Sequence, residues 1–153
     1  MKFILTSIFT LIAVSSFAKE VLPSGCVPKA IDSNEAILYT NNTSFFMIHN
    51  ISEHDLWLTH PVVEPSASAG FSSNIKANKW SAFVLVEPSF KISCVETKPG
   101  HEQQVPCADV IALCEFPNIA IPQNLYATFW AGENMSLAEL IAYVGRRGFV
   151  LPN

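Results

Sequence analysis

The chain has 153 residues, nine basic against thirteen acidic, and a formal net charge of −4. That length suits one domain with enough material for a core. Nucleic-acid binding needs basic patches, and none is visible: the only adjacent basic pair is Arg146-Arg147.

Residues 1–18 carry the three parts of a secretory signal. Met1-Lys2 is a short positive start, residues 3–14 are an apolar run, and Ser16 and Ala18 put small side chains where a signal peptidase reads. The run is shorter than the roughly 20 apolar residues of a transmembrane helix, so a cleaved signal is expected rather than an anchor. Cleavage would leave eight basic and thirteen acidic residues, a net charge of about −5, with no second long apolar stretch. The expected protein is exported, to the periplasm, the outer surface or the medium, without a transmembrane span.

Residues 19–34 read as a polar, proline-bearing lead-in pinned by Cys26, ahead of a β-rich domain over residues 35–153. Strands are expected at residues 36–40, 45–49 and 55–60, separated by turns at 41–43 and 50–53. In the third, Leu56 and Leu58 share one face and Trp57 and Thr59 the other, the period of two that marks a strand. Residues 61–79, rich in Ser, Ala, Asn and Pro, read as a long surface loop with room for one short ordered piece. Residues 80–86 form a nearly continuous apolar run, suited to a strand buried on both faces. Phe90, Ile92 and Cys94 alternate with Lys91 and Ser93, and further strands are expected at 109–116 and 125–130. One helix follows. Ser136 and Glu139 make a capping box, Leu137, Leu140, Ile141 and Val144 an apolar stripe, and Gly145 suits the end. Arg146 and Arg147 would favour the negative end of the helix dipole, with anion binding as the alternative. The expected fold is mainly β, a sandwich or barrel-like single domain with one short C-terminal helix.

All four cysteines, Cys26, Cys94, Cys107 and Cys114, lie beyond the signal. In an exported chain they read as two disulfides. Three pairings are open. Spacing favours Cys94 with Cys107, clasping a polar loop over residues 96–106, which leaves Cys26 for Cys114. Zinc is the alternative, and no CxxC spacing supports it.

No catalytic set emerges: there is no GxSxG elbow, no HExxH and no P-loop, and the acidic residues offer no specific pair. No cofactor is expected. His49, His54 and His60, with Glu53 and Asp55 beside them, could bind zinc or copper. The plainer reading makes them hydrogen-bonded structural residues, with His60 in the core-side row of Leu56 and Leu58. Trp57, Trp80 and Trp130 are expected in the core, the alternative being an exposed aromatic platform. Phe71, Ser72 and Ser73 are the candidate partner contacts, because Phe71 stands alone in a polar stretch.

Several strings occur together: Leu56-Trp57-Leu58-Thr59-His60-Pro61, Ser66-Ala67-Ser68-Ala69-Gly70-Phe71-Ser72-Ser73, Lys79-Trp80-Ser81-Ala82, Ser93-Cys94-Val95-Glu96 and Pro99-Gly100-His101-Glu102-Gln103-Gln104-Val105-Pro106-Cys107. With these, over residues 45–116, the sequence resembles the enhanced entry protein EnhB family of Legionella-type intracellular bacteria. The resemblance implies an exported envelope protein associated with entry into host cells, and it carries over no catalytic or ligand residue. The expected function is therefore a non-enzymatic envelope or secreted protein whose partner is a host-cell surface or a bacterial envelope protein. Two rival readings stand beside it. One is a periplasmic inhibitor or modulator of an envelope enzyme such as a murein hydrolase. The other is a metal-binding periplasmic protein using the histidines.

Overall fold

The structure is a computed structural model that describes residues 22–31, 34–40, 42–60, 71–85, 89–122 and 130–152. Residues 1–18, expected as a signal, and residues 61–70 lie outside the described residues. In chain order the elements are β1 (Val27–Pro28), β2 (Glu35–Tyr39), β3 (Ser44–Asn50), β4 (Asp55–His60), β5 (Phe71–Ile75), β6 (Trp80–Leu85), β7 (Ser89–Lys98), β8 (His101–Val105), α1 (Cys107–Val110), β9 (Ile111–Phe116), β10 (Trp130–Met135) and α2 (Leu137–Arg146).

The strands make two antiparallel sheets. The first runs β1-β9-β3-β6-β10 and the second β2-β7-β4-β5, with β8 also paired to β7. The first sheet is buried on both faces, which is why β3 and β6 are almost wholly apolar. Phe46 and Ile48 of β3 enter the core between the sheets, with Leu56, Leu58, Phe83 and Ile92. Phe45 and Met47, pointing the other way, enter a second core with Trp80, Val84, Leu140, Val144 and Phe149. Phe83 anchors the inter-sheet core, its ring 5.2 Å from Phe46 and 4.8 Å from Trp130. The second sheet alternates instead: Leu38, Leu56, Leu58 and Ile92 are buried, while Ile37 and Trp57 are exposed. The result is a three-layer arrangement of sheet, sheet and helix, the β-sandwich with one C-terminal helix that the strand count implies.

Both favoured disulfides are present, Cys26–Cys114 across 88 residues and Cys94–Cys107 across 13. The first ties the lead-in segment to β9, beside the pairs Val27↔Glu115 and Pro28↔Cys114. The second fastens β7 to α1, whose Cys107 amide donates to the Asn34 carbonyl at 3.1 Å. Two disulfides are consistent with an oxidising compartment outside the cytoplasm. No helix among the described residues is long and apolar enough to cross a membrane.

Three expectations need correction. Residues 96–106 are not a loop: β7 runs on to Lys98, turns at Pro99-Gly100 and returns as β8. Proline fixes its own φ and Gly100 takes φ +74°, so this dipeptide closes a hairpin. Residues 71–75 are a strand, held in register with β4 from Leu56↔Ile75 to His60↔Phe71. The stretch 109–116 begins as helix α1 and becomes strand only at Ile111. Of the strand expected at 125–130, residues 125–129 lie outside the described residues, and β10 is described from Trp130 to Met135.

Helix α2 has the expected capping box, with Glu139 Oε2 accepting from the Ser136 amide at 2.8 Å. Its far end differs. Gly145 lies within the helix, and Gly148, at φ +93°, forms the cap. The Phe149 amide donates to the Val144 carbonyl at 3.2 Å and the Gly148 amide to that of Gly145 at 3.0 Å, the paired bonds of a Schellman end. Phe149 then docks 4.5 Å from Phe45, so the glycine that caps is the one followed by a core residue. Arg146 and Arg147 lie over the Tyr143 ring at this end.

Two predictions follow from these contacts. Gly148→Ala should cost about 1 kcal/mol, since only glycine holds that φ easily, whereas Gly145→Ala, with open space at its Cβ, should stabilise by about 0.4–1 kcal/mol; urea unfolding of the two variants checks the opposite signs. Removing Cys26–Cys114 by paired alanine substitutions should cost about 4–5 kcal/mol and removing Cys94–Cys107 about 3 kcal/mol, in the order of the loops they close. Equal losses in urea unfolding would contradict that ordering.

Candidate binding face

The outer face of the second sheet is the surface these elements build. Cross-strand partners in an antiparallel pair share a face. One row across the sheet is therefore Gln104 of β8, Val95 of β7, Trp57 of β4 and Asn74 of β5. Neighbouring rows bring Ser93 with Thr59 and Thr97 with Asp55 to the same face. Trp57 is 39% exposed at the middle of this surface, although its neighbours along β4, Leu56 and Leu58, are fully buried. The expectation of a core tryptophan holds for Trp80, which is buried, and fails for Trp57, which the alternation of β4 places outside.

Two ion pairs lie on this face, and Glu102, opposite Thr97, adds an exposed carboxylate. Lys91 Nζ lies 2.5 Å from Glu35 Oε2 at the β2 end, and Lys76 Nζ lies 2.6 Å from Asp55 Oδ2 at the other. The Lys91 ammonium, with a bond from Ser93, holds the Glu35 carboxyl below its ordinary range. The Lys76 ammonium does the same for Asp55, helped by the Ala77 amide and by the nearby His54. Between these pairs the surface is uncharged: Ser93, Val95, Trp57, Thr59, Asn74 and Gln104. Asn74 Oδ1 and Thr97 Oγ1 are buried and have no hydrogen-bond partner among the described residues.

Asn50 sets the angle at which β4 enters the sheet. Its side chain is fully buried, and Nδ2 donates to the His54 carbonyl at 2.7 Å and to that of Ile75 at 2.9 Å. Its Oδ1 accepts from the Ser52 amide and hydroxyl, each at 2.9 Å. One amide thus joins the β3–β4 turn to the end of β5 and meets all its own hydrogen-bonding needs, as a buried polar group must.

Of the expected histidine cluster, the structure describes the side chains of His49, on β3, and His54, in the turn before β4. His49 stacks on Trp80, ring centroids 4.4 Å apart and nearly parallel, and its Nε2 pairs with Asn78 Oδ1 at 3.0 Å. His101 is exposed on β8. Among the described residues no group of three His, Cys, Asp or Glu side chains could hold a metal ion. The side chains of His60, Phe71 and Ser72 lie outside what the structure describes. Ser73, the third candidate contact, is buried and its hydroxyl accepts from Trp130 Nε1. Phe71, Ser72 and Ser73 therefore belong to a paired strand, not to a projecting loop. The candidate surface that sequence reasoning held only as an alternative is the row around Trp57.

Asp55 gives this face a pH dependence. A carboxyl whose folded pKa is depressed contributes stability above its unfolded pKa and loses it as pH falls through the folded value. The unfolding midpoint should therefore drop as pH falls below about 4. Asp55→Asn should start lower at neutral pH and show a shallower acid decline. Thermal unfolding across the acid range checks both slopes.

No protein family, curated protein or solved structure matches the chain.

Proposed function

We propose that this is an exported, non-enzymatic binding protein that supports interaction with host cells, acting through the outer face of its second sheet and the β7–β8 hairpin. The observation that carries this reading is the hairpin: a disulfide at its base fixes two strands whose outer one presents His101, Glu102, Gln103 and Gln104 to solvent. Rigid presentation of polar side chains beside an exposed tryptophan lowers the ordering cost of binding. Several groups that might otherwise serve chemistry have structural work. All four cysteines are in disulfides, Asp55 and Glu35 hold lysines, Glu139 caps α2, and His49 is stacked. The host-cell role itself comes from the resemblance carried by the strings within residues 45–116. The same stiff hairpin also suits a periplasmic modulator that plugs the cleft of an envelope enzyme such as a murein hydrolase, the second reading.

Two measurements test the proposal. Protease treatment of intact bacteria should digest the protein, or the medium should contain it; protection until the outer membrane is breached would favour the periplasmic reading. Purified mature protein should bind cultured eukaryotic cells, and the double substitution Glu102→Lys, Gln104→Arg should reduce that binding several-fold with the fold intact by circular dichroism. Unchanged binding by the double variant would remove the hairpin from the interface.

A further inference from the structure

The row around Trp57 has a chemistry more specific than a protein-contact patch, and the geometry points to a binding site for a neutral oligosaccharide, with Trp57 as the platform under a pyranose ring. This rests on the reading of the second sheet's outer face as the working surface.

Three observations converge. Trp57 offers an exposed indole at the centre of a paired sheet, so its backbone is held by strands on both sides, β5 and β7. A rigid aromatic face presents apolar area at small entropic cost, and the C–H face of a sugar ring is the apolar surface that matches it. Val95 lies beside the indole on β7 and Ser93 is buried against Glu35, and the polar groups around the indole are the Asn74 amide beside it, the Gln104 amide beyond Val95 and the Thr59 hydroxyl in the next row. Such groups both donate and accept, as sugar hydroxyls do, and ligand sites combine an apolar platform with a few fixed polar groups. Asn74 belongs to this set with its Oδ1 lacking a partner among the described residues.

Charge decides between ligand classes. The cations nearest this surface, Lys91 and Lys76, are each committed to a carboxylate on the same face, Glu35 and Asp55. An anionic glycan or a phosphate would have to displace one of those carboxylates and would also meet Glu102, and a cationic peptide would find both of those carboxylates neutralised and only Glu102, at the β8 margin, beside them. An uncharged, hydroxyl-rich ligand needs neither exchange. The face also extends beyond Trp57: Tyr39, 72% exposed, lies on it at the far end of β2. With about 3.4 Å per residue along a strand and about 4.8 Å between strands, the two aromatics are roughly 20 Å apart. A chain of several sugar units suits that span better than a monosaccharide.

The test uses the full mature protein on an array of neutral and anionic oligosaccharides, with chitotetraose and cellotetraose as solution probes followed by tryptophan fluorescence and calorimetry. Neutral oligosaccharides should bind. Trp57→Ala should weaken them about tenfold or more, Trp57→Phe should keep part of the affinity, and Ile141→Ala, removing an exposed apolar side chain on α2, should change nothing. Circular dichroism and the unfolding midpoint establish that each variant is folded. Binding confined to anionic glycans, binding untouched by Trp57→Ala, or no binding anywhere on the array would overturn the inference. Cell binding separates this from the reading beneath it. If cell binding is lost in Trp57→Ala while no glycan binds, the face is a protein interface and only the glycan chemistry fails. If cell binding survives Trp57→Ala and the hairpin double variant alike, the assignment of this face fails with it.

Discussion

The structure depends on a sheet that cannot be left exposed on either side. Phe45, Phe46, Met47 and Ile48 are consecutive and all fully buried, so β3 must be covered from both directions. Each large apolar side chain is worth about 1.5–3 kcal/mol when fully buried, and neither covering layer is optional on that scale. The second sheet covers one face. The other is covered by α2, the tail through Phe149 and the lead-in segment around Cys26. The two cores share no residue, because the strand period sends alternate side chains to opposite sides.

Each disulfide reinforces one of those coverings. Cys26–Cys114 sits in the helix-side core and holds down a lead-in segment that pairs through only two residues of β1. Such a short pairing has little strength of its own. Cys94–Cys107 lies in the inter-sheet core, where β7 meets α1. Formation of the fold is in this way coupled to oxidation. In a reducing compartment the helix-side core would lose the constraint on its N-terminal flank, and the hairpin would lose its clasp. The architecture and an oxidising compartment are two aspects of one requirement.

Much of this was legible in residue order, and what was not has a physical reason. Apolar runs at β3 and β6 announced burial on both faces, Leu56 and Leu58 marked the inward row of β4, and Ser136 with Glu139 marked the start of α2. Strands β5 and β8 gave no such signal. Ser72-Ser73-Asn74 and His101-Glu102-Gln103-Gln104 have little intrinsic strand preference; pairing with β4 and β7 makes them strands. Gly145 and Gly148 both fit a helix end by spacing, and tertiary packing of Phe149 chose between them. For Trp57 the local pattern was the better guide. Its alternation with Leu56 and Leu58 already placed it outward, and the general tendency of tryptophan toward the core pointed the wrong way.

The arrangement along β7 explains why the face of this sheet is open while its edge is covered. β7 has ten residues, and a free edge of that length would invite pairing with other chains. It is covered in two halves: Ser89 to Ser93 by β2, and Cys94 to Lys98 by β8. The halves meet where the Cys107 amide donates to the Asn34 carbonyl, next to the disulfide. What remains at this margin is two strands of five residues each, one bearing the Glu35–Lys91 pair and the other lined with exposed polar side chains. Short, charged or polar edges resist edge-to-edge association. The disulfide thus serves stability, hairpin geometry and edge protection at one point in the chain, and it leaves the outer face of the sheet open around Trp57.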